Sequence, residues 1–274
     1  MDNGVGDVQA IDVHGHYGVY IRDGRPWQNR FMTASGAEVA RRARESNVEA
    51  TVVSPLLGLL PRFQADAVKG NDEAARVVDD VPGLLQWVVV HPSQPGTFEQ
   101  AAERLRHPRC MGIKIHPEEH GYAIRQEGAR IFEFAARHRA ILLTHSGEQN
   151  SLPEDCVRFA DELPEMKLIL AHLGCGWDGD LSHQVRAIQA SRHGNVFVDT
   201  SSASSIFPGL VEWAVSEIGS SRILFGTDTP LYSTAMQRCR IDSAEISDAA
   251  KRAILRENAL GLFDLPSAST LAAG

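Results

Sequence analysis

The sequence predicts an α/β fold, a single-domain (β/α)8 barrel spanning residues 1–274. Three observations lead there. Eight short runs rich in β-branched and aliphatic residues recur along the chain, and the last five intervals between them are nearly equal, about 26 to 29 residues. Each interval is the length of one strand, one helix and two loops, and such alternation implies a parallel sheet. The polar residues at the ends of these runs supply the third observation.

The runs, in order, are "AIDVH" near residue 12, "ATVVS" near 52, "LLQWVVV" near 88 and "GIKIH" near 114. They continue with "ILLTH" near 143, "KLILAH" near 169, "NVFVD" near 197 and "RILFG" near 224. The segments between them read as helices. "TFEQAAERLRH" and "IFEFAARHRA" space their apolar residues three and four apart. "PEDCVRFADEL" opens with Pro153 and two acids, a favourable first turn. "PGLVEWAVSEIG" is expected to start at Pro208 and stop at Gly219, and "ISDAAKRAILRENALGLF" to form a last helix capped by Ser247. The long loop at about residues 17–34 carries Tyr17, Tyr20, Trp27 and Phe31, and is expected to cover part of the barrel mouth.

Composition narrows the function classes. The chain has 274 residues, 43% hydrophobic and 23% charged, with a formal net charge of −8. That is enough apolar material for a large core. Lys and Arg are scattered, so no basic face for nucleic acid or anionic lipid is expected. No apolar run approaches the roughly 18 residues of a membrane span. The N-terminus "MDNGVGDVQA" lacks a basic start followed by an apolar stretch, so it does not read as a secretory signal. Cys110, Cys156, Cys175 and Cys239 form no CxxC pair, and read as reduced thiols of a cytoplasmic protein. A small-molecule substrate is expected, and a homo-oligomer is left open.

Barrel active sites lie at the C-terminal ends of the strands. Here those ends carry Asp12, His14 and His16, then Lys114 and His116, then His145, His172, Asp199 and Asp228. Residues two apart on a strand share a face. Asp12, His14 and His16 are therefore expected to point one way, and imidazoles from three strands to meet a carboxylate from the eighth. Imidazole and carboxylate are the ligands that zinc and similar divalent ions prefer. A water bound there would be activated as a nucleophile near neutral pH. Lys114 would be repelled by such a cation unless neutral, hydrogen-bonded to substrate, or carboxylated to bridge two ions. Pairing with Asp12 or Glu118 is the blander reading.

At these residues the sequence resembles the amidohydrolase superfamily, in its amidohydrolase 2 branch. The resemblance covers nearly the whole chain and rests on "DVHGHYG", "GIKIHP", "LLTHSG", "LILAHLG", "NVFVDTSS", "ILFGTDTP" and "ILRENALGLF". It implies a (β/α)8 barrel. It also implies metal ligation by His14, His16, His145 and Asp228, with Lys114 at the bridging position of binuclear members. His172 would bind a second metal, or polarise substrate or activate water. Asp228 would accept the proton of the attacking water and return it to the leaving group. His116, Tyr17, Glu148 and Ser201 are the candidates for substrate contact. The cofactor implied is one or two divalent ions, zinc first and manganese second. The branch holds hydrolases of amides and lactones, and also decarboxylases and hydratases of aromatic or muconate-like acids. Those decarboxylases are expected to be longer than this chain, so hydrolysis is preferred. A rival from another class is an NAD-dependent oxidoreductase. "GCGWDG" at 174–179 fits G-x-G-x-x-G, and Asp199 follows Gly179 by 20 residues. Asp178 and Asp180 would oppose a pyrophosphate there, which argues against it.

Overall fold

The computed structural model describes residues 5–267 and Leu271, so the first four residues of the N-terminal stretch lie outside the described residues. Eight strands form one parallel sheet in sequence order. They are β1 (Ala10–Tyr17), β2 (Val48–Pro55), β3 (Leu84–Val89), β4 (Cys110–Ile115), β5 (Ile141–Thr144), β6 (Lys167–Leu170), β7 (Val196–Asp199) and β8 (Ile223–Leu224). Backbone bonds join β1 to the segment that directly follows β8. Val13 N donates to Phe225 O at 2.9 Å, Asp228 N to His14 O at 2.7 Å, and His16 N to Thr229 O at 2.6 Å. These bonds bring the two ends of the sheet together as a barrel.

Strand alternation divides the core. Ile113, Ile115, Leu142, Leu168, Leu170, Val196, Val198 and Ile223 pack outwards against the helices. Leu143, Ile169, Phe197 and Leu224 fill the interior with Ile11, Val13 and Trp87. Trp87 Nε1 donates to Val13 O at 2.8 Å, and its ring meets Phe263 edge-on at 5.7 Å. Lys114 lies between the outward Ile113 and Ile115, so it points into the barrel.

The expected helices form, with two differences. The helix expected at Pro208 runs Leu210–Ile218 instead, entered through Gly209 at φ 81°. The last helix is capped by Ser247 as expected, its Oγ accepting from Ala250 N at 3.2 Å. It is not uniform, however: Asp248–Arg252 passes through a π turn at Ala253–Glu257 before Asn258–Leu262. Ile254 O, at that turn, accepts from Phe225 N at 3.0 Å. The wider turn thus ties the helix to the short β8. The four cysteines are unbridged. Among the described residues, no helix is long and apolar enough to cross a membrane.

Candidate metal centre at the barrel mouth

The C-terminal ends of the strands open into a cavity of about 350 Å³ whose lining includes His14, His16, Lys114, His145, His172 and Asp228. Ligand atoms of His14, His172 and Asp228 lie within 4.8 Å of one another, and all three residues are buried. His16 joins through Asp228, its Nε2 lying 3.0 Å from Oδ1. His145 joins through His172, its Nδ1 lying 3.0 Å from Nε2.

The strand ends are shaped to present these groups. The β1–β2 register shifts between Asp12 and Gly15, which breaks strict alternation. Asp12 therefore does not share the cavity with His14 and His16. Its Oδ1 accepts from His14 N and Thr227 N, each at 3.0 Å, and its Oδ2 from Thr227 Oγ1 at 2.6 Å. It braces β1 to the loop after β8, and burial pushes its carboxyl up to about 7 against those bonds. The residue between the two histidines must be small. A Cβ on Gly15 would lie 2.6 Å from Thr51 Cγ2 and 3.1 Å from Thr229 Cγ2. His172 and Asp228 sit in the left-handed region, at φ 71° and 56°. Such backbone persists at functional sites only where surroundings hold it. Here Asp199 Oδ1 accepts from His172 N at 3.0 Å, and His14 O accepts from Asp228 N.

The His14 tautomer follows from a partner that can only accept. Asp199 Oδ2 lies 2.8 Å from His14 Nδ1, so Nδ1 carries the hydrogen and Nε2 keeps its lone pair. His16 stands between two sets of partners, its Nδ1 2.9 Å from Ser54 Oγ and 3.2 Å from the Ser54 carbonyl, and its Nε2 3.0 Å from Asp228 Oδ1. Burial, aided by the Lys114 charge, holds the His14 imidazole well below the usual range, and burial does the same for His172 and His116. Neutral rings are the form that ligates. A set of neutral imidazoles and one carboxylate, with lone pairs converging on one point, fits a divalent ion of the zinc or manganese kind. Lys114 Nζ lies 2.9 Å from His14 Nε2, and burial lowers its ammonium to about 8 despite nearby Asp199 and Asp228.

The expected substrate contacts separate into two groups. Glu148 and His116 line the cavity. Tyr17 and Ser201 do not. Tyr17 is buried with Ala34, Val39 and Val53 behind the mouth. Ser201 is buried beneath it, with Oγ 3.0 Å from His14 Nδ1 and 2.8 Å from His172 Nδ1, and bonded to Asp199 Oδ1. In the loop at residues 17–34, Tyr20 lines the cavity, whereas Trp27 and Phe31 stack on each other and stay exposed.

Several residues escaped the sequence reading. Arg22 and Arg62 reach the mouth from the loops after β1 and β2, and both bond Glu119, Arg62 Nη2 at 2.9 Å from Oε1. Leu56, Leu59 and Leu60 form an apolar wall. Asp199 reads from the sequence as a strand-end residue and a candidate ribose acid, with no role assigned to it at the metal site. Its carboxylate is instead fully buried against His14, His172 and Ser201. The strand-end position of "VFVD" was the available signal. The glycine-rich segment is a loop after β6, with Asp178 paired to His183 at 2.9 Å and the helix beginning only at His183. A barrel with that arrangement is not a dinucleotide-binding crevice.

The family model described as an amidohydrolase matches residues 11–265. The chain belongs to this amidohydrolase family. Solved structures of similar fold include a 2,6-dihydroxybenzoate decarboxylase complexed with 2,6-dihydroxybenzoate, 16% identical, with a TM-score of 0.74 over 93% of this chain and 99% of that one. A 5-carboxyvanillate decarboxylase from Sphingomonas paucimobilis is 16% identical, with a TM-score of 0.72 over 94% and 99%. A dihydroxybenzoic acid decarboxylase from Polaromonas sp., with bound manganese and 2-nitroresorcinol, is 16% identical, with a TM-score of 0.72 over 96% and 98%. No curated protein sequence matches significantly. The protein is an enzyme of the amidohydrolase superfamily.

Proposed function

We propose that this amidohydrolase-family enzyme is a divalent-metal-dependent decarboxylase of a small planar acid, of the hydroxybenzoate kind. The observation that carries the reading is the convergence of His14, His172 and Asp228 within 4.8 Å at the base of one cavity. Similar solved structures that are decarboxylases of benzoate-type acids support it, and the bound manganese in one makes that ion the first to test, ahead of zinc. A divalent ion held by these residues, with His16 and His145 beside them, would supply a Lewis acid that orients substrate oxygens and spreads developing charge.

The chain's own groups supply the rest. Leu56, Leu59 and Leu60 offer a flat ring an apolar wall, and Arg22 and Arg62, which share Glu119 between them, leave one positive charge of that trio for a substrate carboxylate. As the bond between ring and carboxylate breaks, its electron pair stays on the ring carbon and CO2 leaves. Asp228, which lines the cavity, would pass a proton drawn from solvent to this carbon and so end the cycle as the carboxylate it began as. Hydrolysis of an amide or lactone is the second reading, favoured by the family match. There Asp228 takes a proton from water and passes it to the leaving group.

One assay separates the readings. Manganese- and zinc-loaded protein is offered a panel of hydroxybenzoates and a panel of lactones and amides, with CO2 and product measured. CO2 release that disappears on metal removal is expected. Lactone or amide turnover with no CO2 from any acid would shift the assignment to hydrolysis. Full turnover by metal-free protein would sink both.

A further inference from the structure

The chain reverses direction just after β5. Gly147 stands at φ 100°, and a Cβ there would lie 2.2 Å from the Cys175 carbonyl oxygen, so only glycine fits. Ser151 O accepts from Gly147 N, and Glu148 O from Ser151 N, each at 3.0 Å. This turn folds Glu148 back onto His145, with Oε2 at 2.6 Å from Nε2.

A carboxylate oxygen accepts and does not donate, so His145 Nε2 carries the hydrogen. In the neutral ring the lone pair then belongs to Nδ1. That atom lies 3.0 Å from His172 Nε2, on the side of the converging donors. The ring plane is fixed as well, because His116 stacks on it at 4.2 Å with 12° between the planes. Asp199 treats His14 in the mirror sense, since it accepts from Nδ1 and frees Nε2. Two carboxylates, one ending β7 and one in the turn after β5, thus hold two rings in opposite tautomers, each with its lone pair towards the other donors.

We propose that Glu148 is a positioning residue for metal capture, which holds His145 as the Nε2–H tautomer so that its Nδ1 lone pair faces the His14, His172 and Asp228 group. This rests on the metal reading above. It also moves Glu148 from substrate contact to ligand orientation, although its side chain stays 38% exposed at the mouth.

The test uses the full chain, stripped of metal and titrated with Mn²⁺ and with Zn²⁺ against a chelating dye, in the absence of substrate. Glu148→Ala is expected to bind metal about 10- to 100-fold more weakly, the usual loss when a ligand's carboxylate partner is removed. Glu148→Gln is expected to stay close to the unchanged protein, because its amide oxygen still accepts from Nε2–H. Long-range ¹⁵N–¹H correlation spectra of histidine-labelled, metal-free protein should show His145 hydrogenated at Nε2. They should show that preference lost in Glu148→Ala. Unchanged affinity in Glu148→Ala, with only KM raised, would overturn the proposal in favour of substrate contact while the metal reading stands. A loss in Glu148→Gln as large as in Glu148→Ala would also overturn it, since charge and not tautomer would be responsible. Should Glu148→Ala fail to fold, an Nδ1–H His145 in the unchanged protein would overturn it alone. Unchanged protein that takes up neither ion would sink the metal reading itself.

Discussion

Asp199→Asn changes one atom and should uncouple metal affinity from folding. Asp199 Oδ1 accepts from His172 N and Ser201 N, each at 3.0 Å, and from Ser201 Oγ. Oδ2 faces a single partner, His14 Nδ1, at 2.8 Å. An asparagine amide would place its oxygen on the crowded side and its NH2 opposite His14. His14 must then offer its lone pair at Nδ1 and carry its hydrogen on Nε2, the nitrogen 3.5 Å from Asp228 Oδ1. A nitrogen that carries hydrogen cannot ligate. Metal affinity should fall about 10- to 100-fold, equivalent to about 1.4–2.8 kcal/mol. The three other hydrogen bonds survive, so metal-free stability should change by only about 1 kcal/mol, or about 2–4 °C in Tm. Asp199→Ala strands every one of those donors and should cost roughly 3–5 kcal/mol. Chelator competition reads the first quantity, and calorimetry of stripped protein reads the second. Unchanged metal affinity in Asp199→Asn would refute the tautomer reasoning. So would a stability loss as large as that of alanine.

Three other outcomes are expected. Asp228→Asn should lower turnover about 10²- to 10⁴-fold with an unchanged circular dichroism spectrum, and near-normal turnover would remove Asp228 from proton transfer. Gly15→Ala should cost about 1–3 kcal/mol in chemical denaturation, because its Cβ would meet Thr51 Cγ2 at 2.6 Å; a neutral effect would show that β1 can shift. Burial lowers Lys114 to about 8 from its ordinary 10.5, so between those values the unfolded chain binds more protons than the folded one. Metal-free protein should therefore gain stability as pH rises from about 8 to 10.5. Lys114→Met should abolish that rise, and a flat profile in the unchanged protein would contradict the burial argument.

Strand spacing and strand-end residues made the barrel and the inward set legible before any coordinates. A period of two and a recurring length of one βα unit are local properties of the chain, and they determine which end of each strand faces the mouth. The misreadings come from positions where local rules bend. Asp12 was grouped with His14 and His16, but the register shift before Gly15 turns it into a brace for the loop after β8. Tyr17 lies on the same strand as the histidines yet packs with Ala34 and Val39 behind the mouth. Ser201 follows a strand-end acid, as a substrate contact could, but is buried under the two rings it touches. Arg22 and Arg62 come from two separate loops, and Glu119 from the short helix Pro117–His120. Their meeting depends on loop paths, which no periodicity encodes.

The backbone at His172 and Asp228 shows why the site and the fold cannot be separated here. Neither residue is glycine, yet both stand at positive φ, at a cost of order 1–3 kcal/mol each. Each is held by a hydrogen bond that its own N–H donates: His172 N to the Asp199 carboxylate that also orients His14, and Asp228 N to the carbonyl of His14 itself. His14 is therefore tied through its backbone to one strained donor and through its ring to the brace of the other. Loosening any one of the three would free the other two. The strain at Asp228 sits on one of the bonds that close the barrel, so a change of conformation there would break the bond from Asp228 N to His14 O. A site built this way keeps its lone pairs aimed only while the barrel is closed between β1 and β8, and the closing bonds at Val13, Asp228 and His16 fall on the same strand ends that carry the histidines and the aspartate.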